Sequence, residues 1–204
     1  MYLFSTEDEG YKSDFLEHRK VFDMTKDFII SSVYDRIFVE DRGCDDRRRF
    51  EYIVDGLKAS FVTRIHAGNK SRGVLIETDE GMQVRSIKEV ATDLADSACA
   101  KKKWYNKKVG KTLTSKIAWK RVYLPGREDL QLHALFVYSE DYDEPLAVLT
   151  DLRTEDSETA WKHFFYYKKR WEVENFYRAV KQHFSAEKFL ILKYEKIQAL
   201  MILI

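Results

Sequence analysis

An α/β fold, a sheet with flanking helices, is what this chain predicts, and three observations carry it. The first third alternates strand-like and helix-like segments, the order that builds a sheet covered by helices. Past Gly68 the text changes to short alternating apolar segments broken by Gly, Asn and Asp, which reads as a β-rich insertion. Two further strands then lead into a long amphipathic helix.

In chain order, residues 2–4 read as a short strand. Over residues 13–31, Phe15, Leu16, Val21, Phe22, Phe28 and Ile29 recur among charges at near-helical spacing, which predicts an amphipathic helix. Arg36-Ile37-Phe38-Val39-Glu40-Asp41 is a compact strand ended by Arg42-Gly43. A helix over residues 45–57 follows, with Phe50, Ile53, Val54 and Leu57 on one face, and residues 59–65 read as a second buried strand. Residues 69–131 hold the alternating segments Val74-Leu75-Ile76 and Met82-Gln83-Val84 and a basic tract. Residues 132–138 and 146–149 are strands separated by the acidic turn 139–144. The long helix spans residues 157–184, and a further one begins near Tyr194. The expected organisation is a core of residues 1–68 and 146–204 with an insertion at 69–145.

Composition bounds the function less tightly. With 45% hydrophobic and 14% aromatic residues the chain carries enough apolar matter for a core, which excludes a disordered protein. A net charge of +1 conceals 34% charged residues, so any contact with nucleic acid must come from local clusters. Cys44 and Cys99 have no metal-like spacing, and with no signal peptide in sight a cytoplasmic location is expected. The apolar run 199–204 is too short to span a bilayer. It reads as a helix cut mid-course, and Met1-Tyr2-Leu3-Phe4 as a strand entered without lead-in, so both ends look truncated.

Asp41 is the first residue with chemical promise. It closes an apolar strand before a glycine turn, and ligands of open α/β sheets gather at the carboxyl ends of strands. An aspartate there can hold a divalent cation. It can equally end a strand or cap the next helix, and Asp45 and Asp46 stand where N-caps belong. The long helix offers the second. Tyr167, Arg170, Glu174 and Lys181 stand at i, i+3, i+7 and i+14, within an arc of roughly 60°. They run beside the apolar face of Phe165, Val173, Phe176, Tyr177, Val180 and Phe184. A carboxylate between cations can bind metal beside phosphates, or it can belong to an ordinary charge ladder. A third feature is the tract 101–121, with nine Lys or Arg, no acid, and Trp104, Tyr105 and Trp119 interleaved. It can neutralise phosphates and stack bases, or form a solvated basic surface over half-buried tryptophans.

The stretch Tyr167-Lys168-Lys169-Arg170-Trp171-Glu172-Val173-Glu174-Asn175-Phe176-Tyr177-Arg178-Ala179-Val180-Lys181 carries Tyr, two residues, Arg, three, Glu, six, Lys. It resembles the signature of the DDE transposases of the insertion-sequence-four family. Phe38-Val39-Glu40-Asp41-Arg42-Gly43 is similar to that family's second-aspartate segment, and Leu146-Ala147-Val148-Leu149-Thr150-Asp151-Leu152 to the strand preceding its catalytic helix.

The resemblance implies an RNase H-like mixed sheet flanked by helices, with a β-rich insertion among the 132 residues between Asp41 and Glu174. It implies Asp41 and Glu174 as catalytic, metal-binding carboxylates. Tyr167, Arg170 and Lys181 become residues that engage transposon-end DNA. The implied cofactor is a pair of Mg²⁺ ions, with Mn²⁺ a substitute, activating the attacking and stabilising the leaving oxygen of a phosphodiester. Implied partners are double-stranded DNA, as transposon end and target, and a second copy in a synaptic dimer. No membrane is involved, and the setting is the nucleoid of a prokaryotic cell. The family's first aspartate lies on an earlier strand, and here Asp8 falls in the polar run 5–10. The expectation is therefore a transposase fragment with little strand transfer on its own. The alternatives are an inactive DNA-binding remnant that inhibits full-length transposase, and a decayed reading frame.

Overall fold

The computed structural model describes residues 12–31, 35–106 and 110–183. The strand expected at 2–4, Phe184, the helix expected near Tyr194 and the run 199–204 lie outside the described residues. The elements are α1 (Asp14–Ser31), β1 (Ile37–Glu40), α2 (Arg47–Glu51), β2 (Ser60–Ile65), β3 (Gly73–Thr78), β4 (Gly81–Ser86), α3 (Ile87–Leu94), β5 (Cys99–Asn106), β6 (Lys111–Leu124), β7 (Arg127–Ser139), β8 (Leu146–Thr150) and α4 (Ser157–His183). The chain divides into two compact units. One is Thr25–Lys168, and the other comprises Met1–Met24 with Lys169–Ile204.

The first unit holds an eight-stranded mixed sheet in the order β1-β2-β8-β7-β6-β3-β4, with β5 paired to β6. Among the described residues the β1–β2 pair is parallel and the other pairings are antiparallel. The fold is thus α/β with helices against a mixed sheet. Residues 69–145 contribute β3 to β7 and α3 to this same sheet.

Alternation along the strands assigns the two faces. Val62, Leu113, Ile117, Leu135, Val137 and Val148 lie under α4 with Ala160, Trp161, Phe164 and Tyr167. Phe61 points the other way and stacks on Phe50 of α2, ring centroids 4.5 Å apart. Residues covered on both faces lose the polar alternation of a half-exposed strand, and β7 is buried continuously from Leu132 to Val137.

Three local features depart from the sequence reading. The helix expected over 45–57 is α-helical only over Arg47–Glu51 and continues as a single π turn, Tyr52–Gly56. Asp46 caps it, accepting from Arg48 N at 2.9 Å, whereas Asp45 pairs with Arg72 at 3.1 Å. Within the stretch read as β-rich, α3 forms behind a capping box. Ser86 Oγ accepts from Glu89 N at 3.2 Å, and Glu89 Oε2 accepts from Ser86 N at 2.7 Å. Between β6 and β7, Pro125-Gly126 turns the chain, with Gly126 at φ +76°, a value costly for a residue with a Cβ.

In the second unit the described elements are parts of α1 and α4. Lys20 donates to the buried Glu17 at 2.7 Å along α1. Arg170 Cζ lies 5.2 Å from the ring centroid of Trp171 on α4.

Candidate functional site

Strand β1 positions the first predicted site residue. Its four residues alternate, so Ile37 and Val39 pack against the cluster under α4, while Glu40 turns to the α2 face. There Glu40 Oε1 accepts from Arg49 Nε at 2.6 Å, with the two side chains 6% and 8% exposed. Thr63 Oγ1 donates to Glu40 Oε2 at 3.4 Å. Burial pushes the Glu40 carboxyl up, and Arg49 opposes that shift. A buried ion pair thus pins the end of β1 to α2.

Asp41 is the next residue on the α4 side. Its Oδ1 accepts from Arg42 N at 2.8 Å, and its carbonyl accepts from Cys44 N at 2.8 Å. Asp41 therefore caps the 3₁₀ turn Arg42–Cys44, and the cap of α2 falls to Asp46. The neighbouring Cys44 thiol is pushed up, first by burial and then by Glu40.

Tyr167 meets Asp41 from α4. Its ring is 1% exposed, and its hydroxyl stands 3.5 Å from Asp41 Oδ1, a long hydrogen bond. The buried stripe of α4 is Ala160, Phe164 and Tyr167, with Trp161 and His163 beside it, while Phe165 is only partly buried. Tyr167 thus lies inside the core stripe, and what it offers the site is its hydroxyl.

Arg170, Glu174 and Lys181 belong to the second unit. All three have helical backbone in α4, and the side chains of Glu174 and Lys181 lie outside the described residues. Asp41 and Tyr167 are the predicted site residues that the described structure brings together. Among the described residues no three His, Cys, Asp or Glu gather as a metal-binding group. The nearby acids Glu40 and Asp45 are taken up by Arg49 and Arg72. Described donors at this strand end amount to one carboxylate, short of a two-metal centre.

Asp151 closes β8 and is structural. It accepts from Phe61 N at 2.7 Å, tying β8 to the start of β2, and burial pushes its carboxyl up.

The basic tract resolves into the β5–β6 hairpin. Trp104 pairs with Leu113 on the α4 side, where it is buried and donates to Ser115 Oγ at 3.1 Å. Lys168 Nζ lies 4.1 Å from its ring centroid, and burial pulls that ammonium's pKa down. Trp104 is therefore closed to base stacking. The opposite face of the hairpin exposes Lys101, Lys103, Tyr105 and Lys116, with Tyr105 59% exposed. Lys103 faces Thr114, and Tyr105 faces Thr112 across the ladder. The sequence reading missed what holds this hairpin to α4: Trp161 Nε1 donates to Ala100 O at 2.8 Å. Ala100 sits at φ +50° where the β5–β6 register shifts, and such a bulge leaves no mark in apolar periodicity.

No helix among the described residues is long and apolar enough to cross a membrane. Against known proteins, the chain matches no family model and no curated protein.

Proposed function

We propose that this chain is the catalytic-core segment of a DNA transposase of the DDE type, resembling the insertion-sequence-four family. Asp41 and Glu174 are its metal-binding carboxylates, and Arg170 and Lys181 its phosphate-gripping cations. The observation that carries the reading is the Tyr167–Asp41 contact. Two separate motifs carry these residues, 126 positions apart, Asp41 read as a metal ligand and Tyr167 as a DNA contact, and the hydroxyl stands 3.5 Å from the carboxylate. Asp41 follows a strand paired in parallel with β2, at the strand end where α/β sheets gather ligands.

In this reading Tyr167 is a positioning residue that holds Asp41 Oδ1 in concert with Arg42 N. Asp41 and Glu174 would be the residues to hold the Mg²⁺ that the resemblance implies for phosphodiester chemistry. The RNase H-like character of the sheet and the working partners, DNA and a second copy, belong to the same proposal.

A second reading, DNA binding without cleavage, is favoured by the outer face of the β5–β6 hairpin. Lys101, Lys103, Lys116 and Tyr105 are exposed there together, and phosphate binding by such a face needs no metal.

One experiment addresses both. Binding of a labelled duplex is followed by fluorescence anisotropy across a salt series, with supercoiled plasmid and Mg²⁺ or Mn²⁺ in parallel. Salt-sensitive binding that weakens in Arg170→Ala and Lys181→Ala supports the transposase reading. Nicking that Glu174→Ala abolishes makes the chain catalytic by itself. Binding that depends on the hairpin lysines alone, without nicking, favours the second reading. An absence of salt-sensitive DNA binding contradicts both.

A further inference from the structure

At the opposite end of β1 from Asp41 a cleft of about 610 Å³ opens between the starts of β1 and β2, Leu152 two residues beyond β8, and the first turns of α4. Its walls carry Arg36, Lys58 and Lys162, against a single carboxylate, Asp35, with Ser60 and Tyr166 as further polar groups.

Many arginines of this unit are taken up by acids, and the three cations of the cleft are not. Arg47, Arg48, Arg49, Arg72, Arg85, Arg127 and Arg153 each pair with a carboxylate. Among the described residues no ion pair is formed by Arg36, Lys58 or Lys162. Arg36 is instead fixed by backbone carbonyls. Its Nη2 donates to Lys58 O at 2.9 Å, its Nη1 donates to Ile29 O, and its Nε is buried with no acceptor among the described residues. A guanidinium tethered through carbonyls keeps its whole charge for the cleft.

The backbone of the same wall is irregular. Lys58 sits at φ +50°, and the π turn Tyr52–Gly56, which supplies Val54 to the cleft, lies just ahead of it. Both conformations are uncommon and concentrate where a fold shapes a site. Arg36 holds the strained residue by its carbonyl, which presents Lys58 beside it. Opposite, Lys162 is exposed on α4 next to His163, a ring that stays neutral because its pKa is pushed down to about 4 by burial and then by Lys162 and His133. A concave wall with three unpaired cations and one acid attracts a compact, multiply charged anion.

We propose that this cleft is a phosphate-binding site, separate from the Asp41 strand end and gripped by Arg36, Lys58 and Lys162. The phosphate comes either from a free phosphorylated small molecule or from a nucleic-acid backbone, and the volume suits either. The proposal stands without the transposase reading.

The test uses the whole chain and the double variant Lys58→Gly/Lys162→Gln. Glycine accepts the left-handed conformation at position 58, and residue 162 is on an exposed helix surface, so both changes spare the fold. Calorimetric titration with inorganic pyrophosphate at low salt is expected to show binding weakened about tenfold or more in the variant. If duplex binding is unchanged, the natural ligand is a free phosphate compound. If the duplex binds more weakly with a shallower salt slope, the cleft takes a backbone phosphate. Lys101→Ala/Lys103→Ala/Lys116→Ala should leave pyrophosphate binding intact. Pyrophosphate binding that is absent, or equal in wild type and the double variant, overturns the proposal.

Discussion

The hydroxyl of Tyr167 stands 3.5 Å from Asp41 Oδ1, joining the first helix-borne residue of one sequence motif to the strand-end aspartate of another. The ring is anchored among Val62, Leu135 and Phe164 in the core under α4. The contact therefore ties a core residue to a half-buried carboxylate.

Tyr167→Phe separates packing from positioning. The ring volume is kept, so loss of a long hydrogen bond should cost at most about 1 kcal/mol in urea unfolding. Tyr167→Ala, which empties the core position, should cost about 3–5 kcal/mol. If the Phe variant is as unstable as the Ala variant, the hydroxyl is structural and the positioning role fails.

The Glu40–Arg49 pair makes a different prediction. Removing Arg49 alone (Arg49→Met) strands a buried carboxylate and should cost about 3–5 kcal/mol. The double variant Glu40→Gln/Arg49→Met should recover most of that loss, because neither partner is then left charged and buried. Chemical denaturation of the three proteins checks this. Equal losses in the single and double variants would show that the pair's charges do not decide the end of β1.

Acid stability should report on His163. Its ring is 7% exposed and bonded to Thr154 Oγ1 at 3.0 Å, with a pKa lowered to about 4 from 6.5. The unfolded chain takes up the proton first, so the contribution is complete above pH 6.5, declines as pH falls toward 4, and is flat below. The full loss is up to about 3 kcal/mol. Glu40 and Asp151, raised by burial, favour the folded state in acid. They are shared with His163→Gln and cancel in the difference. The melting-temperature gap between wild type and His163→Gln should therefore narrow from pH 7 to pH 4. A constant gap would mean that the ring titrates normally.

The hairpin face should set part of any salt dependence. Each of Lys101→Ala, Lys103→Ala and Lys116→Ala is expected to lower the slope of log affinity against log salt by about 1, with little effect on stability. Anisotropy titrations measure the slope. An unchanged slope in the triple variant would remove this face from the DNA-binding surface.

Much of this was legible in the sequence, and the exceptions have physical causes. The apolar run Ile37-Phe38-Val39 located β1 and left Asp41 at its end, because a four-residue strand between polar turns has one reading. The long helix was equally plain. The helical wheel placed Tyr167 at the edge of the apolar face, yet the packed stripe runs through Ala160, Phe164 and Tyr167. Periodicity gives an arc, and the sheet beneath decides which part of it is buried. The helix α3 carried its signal in Ser86 and Glu89, hidden by the strand texture around it. The cleft had no such signal, since Arg36, Lys58 and Lys162 meet only after β1, β2 and α4 have packed.

The proposed roles of Asp41 and Glu174 as metal-binding carboxylates are tested most directly by Mn²⁺ binding, read from paramagnetic broadening of amide signals in the folded chain. Broadening is expected to centre on residues beside Asp41, and Asp41→Asn and Glu174→Gln are each expected to weaken binding about tenfold or more. Wild-type affinity in both variants, or broadening centred away from the end of β1, would contradict those roles.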